Sequence, residues 1–557
     1  MRMSNKFIEI AFVIISIFFF LSSPALVKAQ YNSDKTSQII DSLEQMRIKA
    51  LEIDDNTAPA YLISVNNQDD FSNLRVKIAQ AINRGEKNIV VSLKKGNYTF
   101  VNNHLLFSFQ GEDVSITIQG NKSTLWATSI HTPRKACEIN SGVKYANGPI
   151  QIVDTIAKKC FIPCNLGNTP DALSDILITQ WYTSKTYHVL ETTELGVYFI
   201  ADDLAPIKIR GRRGYNVNSD YLYNGGNPRY KFTTRPSSEE PSRFLLVKQS
   251  ALKEFIIKDI VFKGNTGEYP LIEFKNVVAT RILINNCEFN NIHSPVLVAD
   301  NTNNIICSVN KIKQIYSNGF KFNNGCKNIF VINNAFNECG RGINNSFCIL
   351  CRADNYLIKN NLFVNFGYGA IGVGVWHSHE KLYPTRGIIE NNVLFYTSKY
   401  LKKKWKYTLM DSGAIYSWTQ NDNVIIRYNY IHDYDGMGDN RGIFCDDGAN
   451  NISIYRNVIL NTPNSYSIDS RFVKDQKVNF SNNSNNFMAD NVIDGDVRFQ
   501  GYEGENRNVI KGANLIIYNQ KQSSRNNKYE QVESIGEDVV LNDKRILNRR
   551  IKECTHQ

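Results

Sequence analysis

Proline is scarce in this chain, 14 of 557 residues, and charged residues make up only 21% of it. That balance excludes a proline-rich or highly charged disordered protein, and 33 glycines without a three-residue period exclude a collagen-like one. Long hydrophobic runs are missing too: past residue 21 no stretch is long and apolar enough to span a bilayer. Eleven cysteines are odd in number, and the chain is far longer than a stapled mini-domain, so its stability must come from burial. Most are expected to be free, buried thiols. Cys348 and Cys351 have CxxC spacing but no second pair at metal-finger distance, and Cys160 with Cys164 is the best disulfide candidate. A formal charge of +11 excludes an acidic solvating protein.

The single long apolar run opens the chain. Arg2 and Lys6 precede Ile10 to Leu21, and Val27-Lys28-Ala29 gives a small-x-small cleavage pattern. A run of about 12 residues falls short of the roughly 20 that cross a bilayer, so residues 1–29 read as a signal peptide cut after Ala29. The expected location is secreted or periplasmic. Loss of Arg2, Lys6 and Lys28 with Glu9 lowers the formal charge from +11 to +9.

What is present in abundance is a repeat built on asparagine. The pattern apolar-x-apolar, polar, Asn, x-apolar recurs with markers at Asn286, Asn310, Asn334, Asn361, Asn392, Asn429, Asn457, Asn491 and Asn514. Consecutive markers lie 24, 24, 27, 31, 37, 28, 34 and 23 residues apart. Such spacing fits coils of a parallel β-solenoid, each holding three short strands joined by turns that accept insertions. Period-two alternation and Ile, Val, Phe and Tyr in the marker segments disfavour a helical repeat. Asn at one register tolerates left-handed backbone and can stack as an amide ladder, a structural role in either case.

The predicted organisation is a signal peptide (1–29), an N-terminal segment (30–69), a cap with the first coils (70–136), an inserted β-rich subdomain (137–243), the main solenoid (244–520) and a polar basic tail (521–557). Leu74, Ile78 and Ile82 at helical spacing, stopped by Gly85, predict a helix that covers the open end of the solenoid. The coils with 31, 37 and 34 residues carry extra loops, which places functional groups within about 362–491.

That region holds Trp376-His377-Ser378-His379-Glu380, a basic stretch at 399–406, Asp411-Ser-Gly-Ala-Ile-Tyr416, Trp418, His432, and Arg441-Gly-Ile-Phe-Cys-Asp446-Asp447-Gly448. Counting back 13 residues from Asn429 and Asn457 pairs Tyr416 with Phe444, Asp411 with Asp439, and Trp418 with Asp446. Two aspartates in one register on adjacent coils would lie about 4.8 Å apart, close to the roughly 5 to 5.5 Å of a retaining carboxylate pair. Asp411 and Asp446 stand seven positions apart along the coil, about 23 Å on a straight strand, so that pair needs an intervening turn.

Asp411-Ser-Gly-Ala-Ile-Tyr416 is similar to a D-G-G-A-I-Y pattern, and Gly442-Ile-Phe-Cys-Asp446-Asp447-Gly448 to G-I-Y-x-D-D-G. With the repeat, from about residue 70 to 520, these strings resemble the exported right-handed β-helix proteins of the pectate-lyase-like superfold, in particular the β-helix glycoside hydrolases with fucosidase- and xylanase-active members. The resemblance implies an all-β, right-handed parallel β-helix and a pair of catalytic carboxylates, carried here by Asp411 and Asp446 or Asp447. Ser412 and Cys445 depart from its pattern. Asp439 is the reserve partner by register.

Trp376, His377, Tyr416, Trp418, His432, Arg441 and Arg471 are the candidate substrate contacts, through ring stacking and hydrogen bonds to hydroxyl or carboxylate groups. His377, His379 and Glu380 do not make a full metal-ligand set, Asp433, Asp435 and Asp439 lack EF-hand spacing, and no metal is expected. The expected activity is glycoside hydrolysis by two aspartates without a cofactor, on a polysaccharide or oligosaccharide, with no nucleic-acid partner. A lyase acting on a uronate-containing glycan would instead use Ca²⁺ or Arg and a basic residue such as Lys404, His432 or Arg471. A non-catalytic glycan-binding solenoid is the third reading.

Overall fold

The computed structural model describes Gln45 and residues 59–100, 104–127, 243–265, 269–292, 294–315, 317–340, 346–374, 385–397, 412–418, 423–434, 440–446, 449, 451–462, 466–470, 486–493 and 496–500, with the backbone of short strands between 151 and 233 and between 508 and 541. Most of these residues form a parallel β-solenoid in which every third strand is paired with the next coil. Each coil gives one strand to each of three walls. Wall A includes Phe320–Phe322, Phe347–Cys351, Gly369–Val373, Ser412–Ser417, Asn440–Cys445 and Tyr466–Ser470; wall B includes Lys327–Ile332, Asp354–Lys359, Gly387–Glu390 and Val424–Arg427; wall C includes Ala335–Cys339, Leu362–Val364, Val393–Phe395 and Tyr430–His432. No helix among the described residues is long and apolar enough to cross a membrane.

Alternation along short strands sends one set of side chains inward, and parallel register stacks them into columns. On wall A, Ile349, Ile371, Ile415, Ile443, Ile468 and Val497 follow one another in register. On wall C the column runs Phe289, Ile312, Phe336, Phe363, Leu394, Ile431, with the rings of Phe336 and Phe363 stacked at 4.9 Å. Cys287, Cys307, Cys326, Cys339, Cys348, Cys351 and Cys445 are free and buried, so the CxxC pair is core packing. The Cys160 and Cys164 side chains lie outside the described residues.

The turn between walls B and C explains the asparagine repeat. Asn310, Asn334, Asn361, Asn392, Asn429, Asn457 and Asn491 form a continuous buried ladder, each Nδ2 donating to the Oδ1 of the next at 2.9–3.0 Å. Each also donates to a carbonyl of the preceding coil, as Asn361 does to Val331 O at 2.8 Å, while its own backbone N–H donates to the next Oδ1. Both amide hydrogens and both lone pairs are thereby used, which offsets the cost of burying the group in a dry turn. The left-handed conformation falls on the residue just before: Val309, Asn333, Asn360, Asn391, Tyr428, Arg456 and Asp490 have φ between 52° and 58°. The two roles expected of one asparagine are therefore divided between neighbours. The marker at Asn286 is corrected by one position, because Asn286 takes the left-handed place (φ 50°) and Cys287 N donates to Asn310 Oδ1 at 2.9 Å. Asn514 lies outside the described residues.

At the N-terminal end, helices Gln68–Ser72 and Leu74–Asn83 bury Phe71, Leu74, Ile78 and Ala81 against the first coils. Asn67 caps the first by accepting from Asp70 N at 2.8 Å, and Gly85 (φ 85°) follows the second. Sequence reasoning placed the second helix but not the strand Tyr61–Val65 before it, which pairs in parallel with Asn88–Leu93. Leu62, an exposed leucine on that strand, breaks the alternation that would have revealed it. Between 151 and 233, six strands make a separate antiparallel sheet. The solenoid passes this segment by: Leu105 before it is in register with Leu245 after it.

His104 sits under the cap with its ring 4.3 Å from Phe71 and 6.0 Å from Phe244, and its Nε2 is buried without a hydrogen-bond partner among the described residues. Burial pulls its pKa down to about 4, against a hydrogen bond to the Phe71 backbone that favours the charged ring. The unfolded chain takes up this proton near pH 6.5 and the folded one only near pH 4. Stability is thus expected to fall by about 3 kcal/mol as pH drops through that window, and a His104→Phe variant, followed by chemical denaturation at several pH values, should lose that part of the pH dependence. Replacing Asn392 with Ala should cost about 2–4 kcal/mol by stranding buried amide partners, whereas Ala at exposed Lys253 should change stability by under about 0.5 kcal/mol in the same assay. The seven buried thiols should resist a thiol reagent at about pH 8 until the chain unfolds, since burial pushes Cys287 and Cys326 up to about 12.

Candidate functional site

On wall A the strands Phe347–Cys351, Gly369–Val373 and Ser412–Ser417 are buried at every residue, on the outward side as well as the inward one. One outward column runs Val298, Lys321, Leu350, Gly372, Tyr416, Phe444, Asp469 through successive coils. Beside it, at the ends of the strands, a second row holds Arg352, Gly374, Trp418 and Asp446. The backbone ladder fixes that row: Arg352 N donates to Phe322 O, Trp418 N to Val373 O and Asp446 N to Ser417 O, at 2.8–3.0 Å. Tyr416 is paired with Phe444, as counting back from the asparagine markers predicts.

Phe347, Leu350, Tyr368, Tyr416, Trp418 and Phe444 form an apolar cluster on this outer face. Gly369 and Gly372 make room for the Phe347 ring: a Cβ on either would come within 2.5 or 2.9 Å of it. The ring then meets Tyr368 and Trp418 edge-on, each at 5.3 Å. Tyr416 packs against Trp418 at 4.3 Å and lies parallel to Phe444 at 4.7 Å.

Set into this apolar surface are two carboxylates. The Tyr416 hydroxyl donates to Asp446 Oδ2 at 2.7 Å. Arg441 Nε donates to Asp469 Oδ2 at 2.8 Å, and both side chains have 0% exposure. The Arg441 guanidinium also lies 4.1 Å over the Phe444 ring. A desolvated guanidinium held between a ring face and a carboxylate is a strong, directional charge pair. Burial pushes the Cys445 thiol beneath them up, and the charges of Asp469 and Asp446 add to that rise. Aromatic rings beside acidic groups are the residue types that stack on sugar rings and move protons at a glycosidic oxygen, and here Tyr416, Trp418 and Asp446 are 2%, 4% and 2% exposed.

Of the residues singled out from sequence, the structure brings together Tyr416, Trp418, Arg441 and Asp446. His432 stands apart, on wall C, stacked on Phe395 at 4.7 Å with its Nδ1 2.8 Å from Asp433 Oδ2. Trp376, His377, Asp411, Asp447 and Arg471 lie outside the described residues, as do His379, Glu380, Asp435, Asp439 and the basic stretch 399–406. Sequence reasoning missed Asp469. The count that aligned Tyr416 with Phe444 fails in the next coil, because residues 471–485 intervene between the wall A strand and its marker Asn491. The alternation in Ser467-Ile468-Asp469-Ser470 was the available signal.

No family model matches the chain, and no curated protein matches it. Among solved structures, one described as a glycoside hydrolase is 10% identical, with 89% of this chain and 98% of that one covered and a TM-score of 0.42. A complex of XylC with xylose is 9% identical, covers 85% and 86%, and has a TM-score of 0.43. The Gp54 tailspike of Acinetobacter baumannii bacteriophage AP22, in complex with capsular saccharide, is 11% identical, covers 93% and 73%, and has a TM-score of 0.27.

Because Arg441 and Asp469 are wholly enclosed, removing one partner leaves a bare buried charge. Arg441→Ala or Asp469→Ala is expected to cost about 3–5 kcal/mol in urea unfolding, and Arg441→Met with Asp469→Leu much less than the sum of the single changes.

Proposed function

We propose that the protein is an exported glycoside hydrolase whose active site lies on the outer face of wall A. The observation that carries this reading is the gathering of Tyr416, Trp418, Asp446, Arg441 and Asp469 in adjoining outward columns on consecutive coils. Asp446 and Asp469 are one coil and two strand positions apart, which puts their Cα atoms about 8 Å from one another. Asp446, bonded to Tyr416 and beside Trp418, is assigned as proton donor to the glycosidic oxygen. Asp469, enclosed and ion-paired to Arg441, is assigned as a positioning carboxylate that holds the guanidinium against the Phe444 ring beneath the site. Asp411, next to Ser412, and Asp447, next to Asp446, remain proposed further carboxylates of the site, with Trp376, His377 and Arg471 as proposed sugar contacts.

Support from export is independent of the fold: the leader pattern at 1–29 sends the chain to where polysaccharides are met. The test is a panel of plant and algal glycans digested by the wild type, Asp446→Asn and Asp469→Asn, with reducing ends and ultraviolet absorbance followed together. Each variant is expected to lose about 10²- to 10⁴-fold in rate while keeping its circular dichroism. Wild-type rates in both variants would remove these residues from the mechanism. An absorbing unsaturated product would make the enzyme a lyase, and binding without cleavage a glycan-recognition protein.

A further inference from the structure

Wall B carries an apolar column on its outward side. Leu62 opens it, and five coil steps further on Ile306 is followed in register by Phe330, Leu357, Ile388 and Ile425. The last five form an apolar cluster separate from the solenoid core. Exposure changes sharply along the column: Leu62 is 59% exposed, Ile306 1%, and the four after it 2% each. On the same coils, the outward residues Leu362, Val364, Val393 and Phe395 of wall C are only half-buried. Sheet neighbours shield an outward side chain from the sides but not from above, so closing wall B this completely takes a further layer of chain. The polar residues beside the stripe agree, since Glu390 is 5% exposed between Lys359 at 2.8 Å and Arg427 at 2.7 Å. Among the described residues the cluster consists of wall B side chains alone, so the layer comes from a segment outside them.

The chain that leads into wall B fits that stripe. Tyr61 starts the first strand of the wall, after exposed Pro59 and Ala60. Upstream, Ile39, Leu43, Met46, Ala50 and Ile53 recur at steps of four, three, four and three, which is one face of a helix. Gln45, on the opposite side of that pattern, is helical and exposed. Ile39 to Ile53 spans about 21 Å as a helix, and Ile306 to Ile425, four coil steps, about 19 Å. From Ile53 to Leu62 an extended chain reaches about 30 Å, enough for the five steps, about 24 Å, that separate Leu62 from Ile306.

Charge points the same way. Residues 34–55 hold six acidic groups (Asp34, Asp41, Glu44, Glu52, Asp54, Asp55) and three basic ones (Lys35, Arg47, Lys49), a net charge of −3. Lys359, Glu390 and Arg427 beside the stripe sum to +1. The C-terminal residues 542–557, with five Lys and Arg against two acidic groups, would bring +3 to the same place. Residues 375–384, 419–422 and 471–485 each leave the solenoid at a single coil, whereas the closed stripe runs over five.

We propose that residues 38–53 form an amphipathic helix docked on the outer face of wall B, running back toward the capped end with Ile53 near Ile306, Met46 over Leu357 and Ile39 near Ile425. The segment ahead of the first coil is then a strap fastened across five coils, a role that goes beyond the proposed function and does not depend on it.

The test follows side-chain accessibility in the full chain. With hydrogen peroxide, Met46 should oxidise about tenfold more slowly than the methionine of a Gln45→Met variant, one residue away on the polar face. With hydroxyl radicals, Phe330 and Leu357 should be labelled severalfold faster in a Leu43→Asp variant than in the wild type, while Tyr416 and Trp418 on wall A keep their rates. Should Leu43→Asp unfold the chain, shown by faster labelling of wall A as well, Leu43→Ala takes its place with the same expectation. Oxidation of Met46 as fast as at position 45 overturns the docked helix. So does unchanged protection of Phe330 and Leu357 in the Leu43 variants, or their exposure by Ile546→Asp in the C-terminal tail instead.

Discussion

Axial hydrogen bonding between identical positions of successive coils is the interaction on which everything else in this molecule depends. Strand pairing supplies most of it, but most strands have only three to six residues, and a slip by one residue would turn every inward side chain outward. The asparagine ladder guards against that slip at the corner between walls B and C. Each amide accepts from the coil before and donates to the coil after, so a displaced coil would strand polar groups in a dry turn. Left-handed residues bend the chain there, and even Val309, Tyr428 and Arg456 adopt that conformation, an unfavourable one for branched or bulky side chains. The ladder thus over-determines the backbone next to it.

A fixed register is also what allows a site to be assembled from residues far apart in sequence. Tyr416, Phe444 and Asp469 become neighbours only because each stands at the same point of its own coil. Wall A has exchanged the usual outward polar surface for rings, glycines and enclosed polar groups. Those groups are matched, Arg441 with Asp469 and Tyr416 with Asp446, which is the condition for keeping them in an apolar setting.

Much of the architecture can be read from sequence because a solenoid writes its period into the chain. The Asn markers from 310 to 491 fall on the ladder, and the pairing of Tyr416 with Phe444 follows from counting alone. The failures have physical causes. Doubled asparagines hide which one bends and which one bonds, so the pattern lands on Asn286 where the ladder uses Cys287. The strand at Tyr61–Val65 alternates in exposure, but Leu62 puts an apolar side chain at an exposed position, so its sequence does not alternate. The site is less legible than the frame, since counting works only where no loop intervenes, and Asp469 is followed by one. His432 is close to the site in sequence, but a short step along a coil leads to a different wall.

The direct pairing of Leu105 with Leu245 and of Ile116 with Phe255 means that the frame closes without residues 128–242, which enter the chain between two of its strands. Closing a loop grows costlier only with the logarithm of its length, so such an appendage weighs little on the scaffold however large it becomes. A molecule built this way can trade whole accessory modules at that point of entry and keep its spine, much as a bookcase accepts a new shelf bracket without being rebuilt.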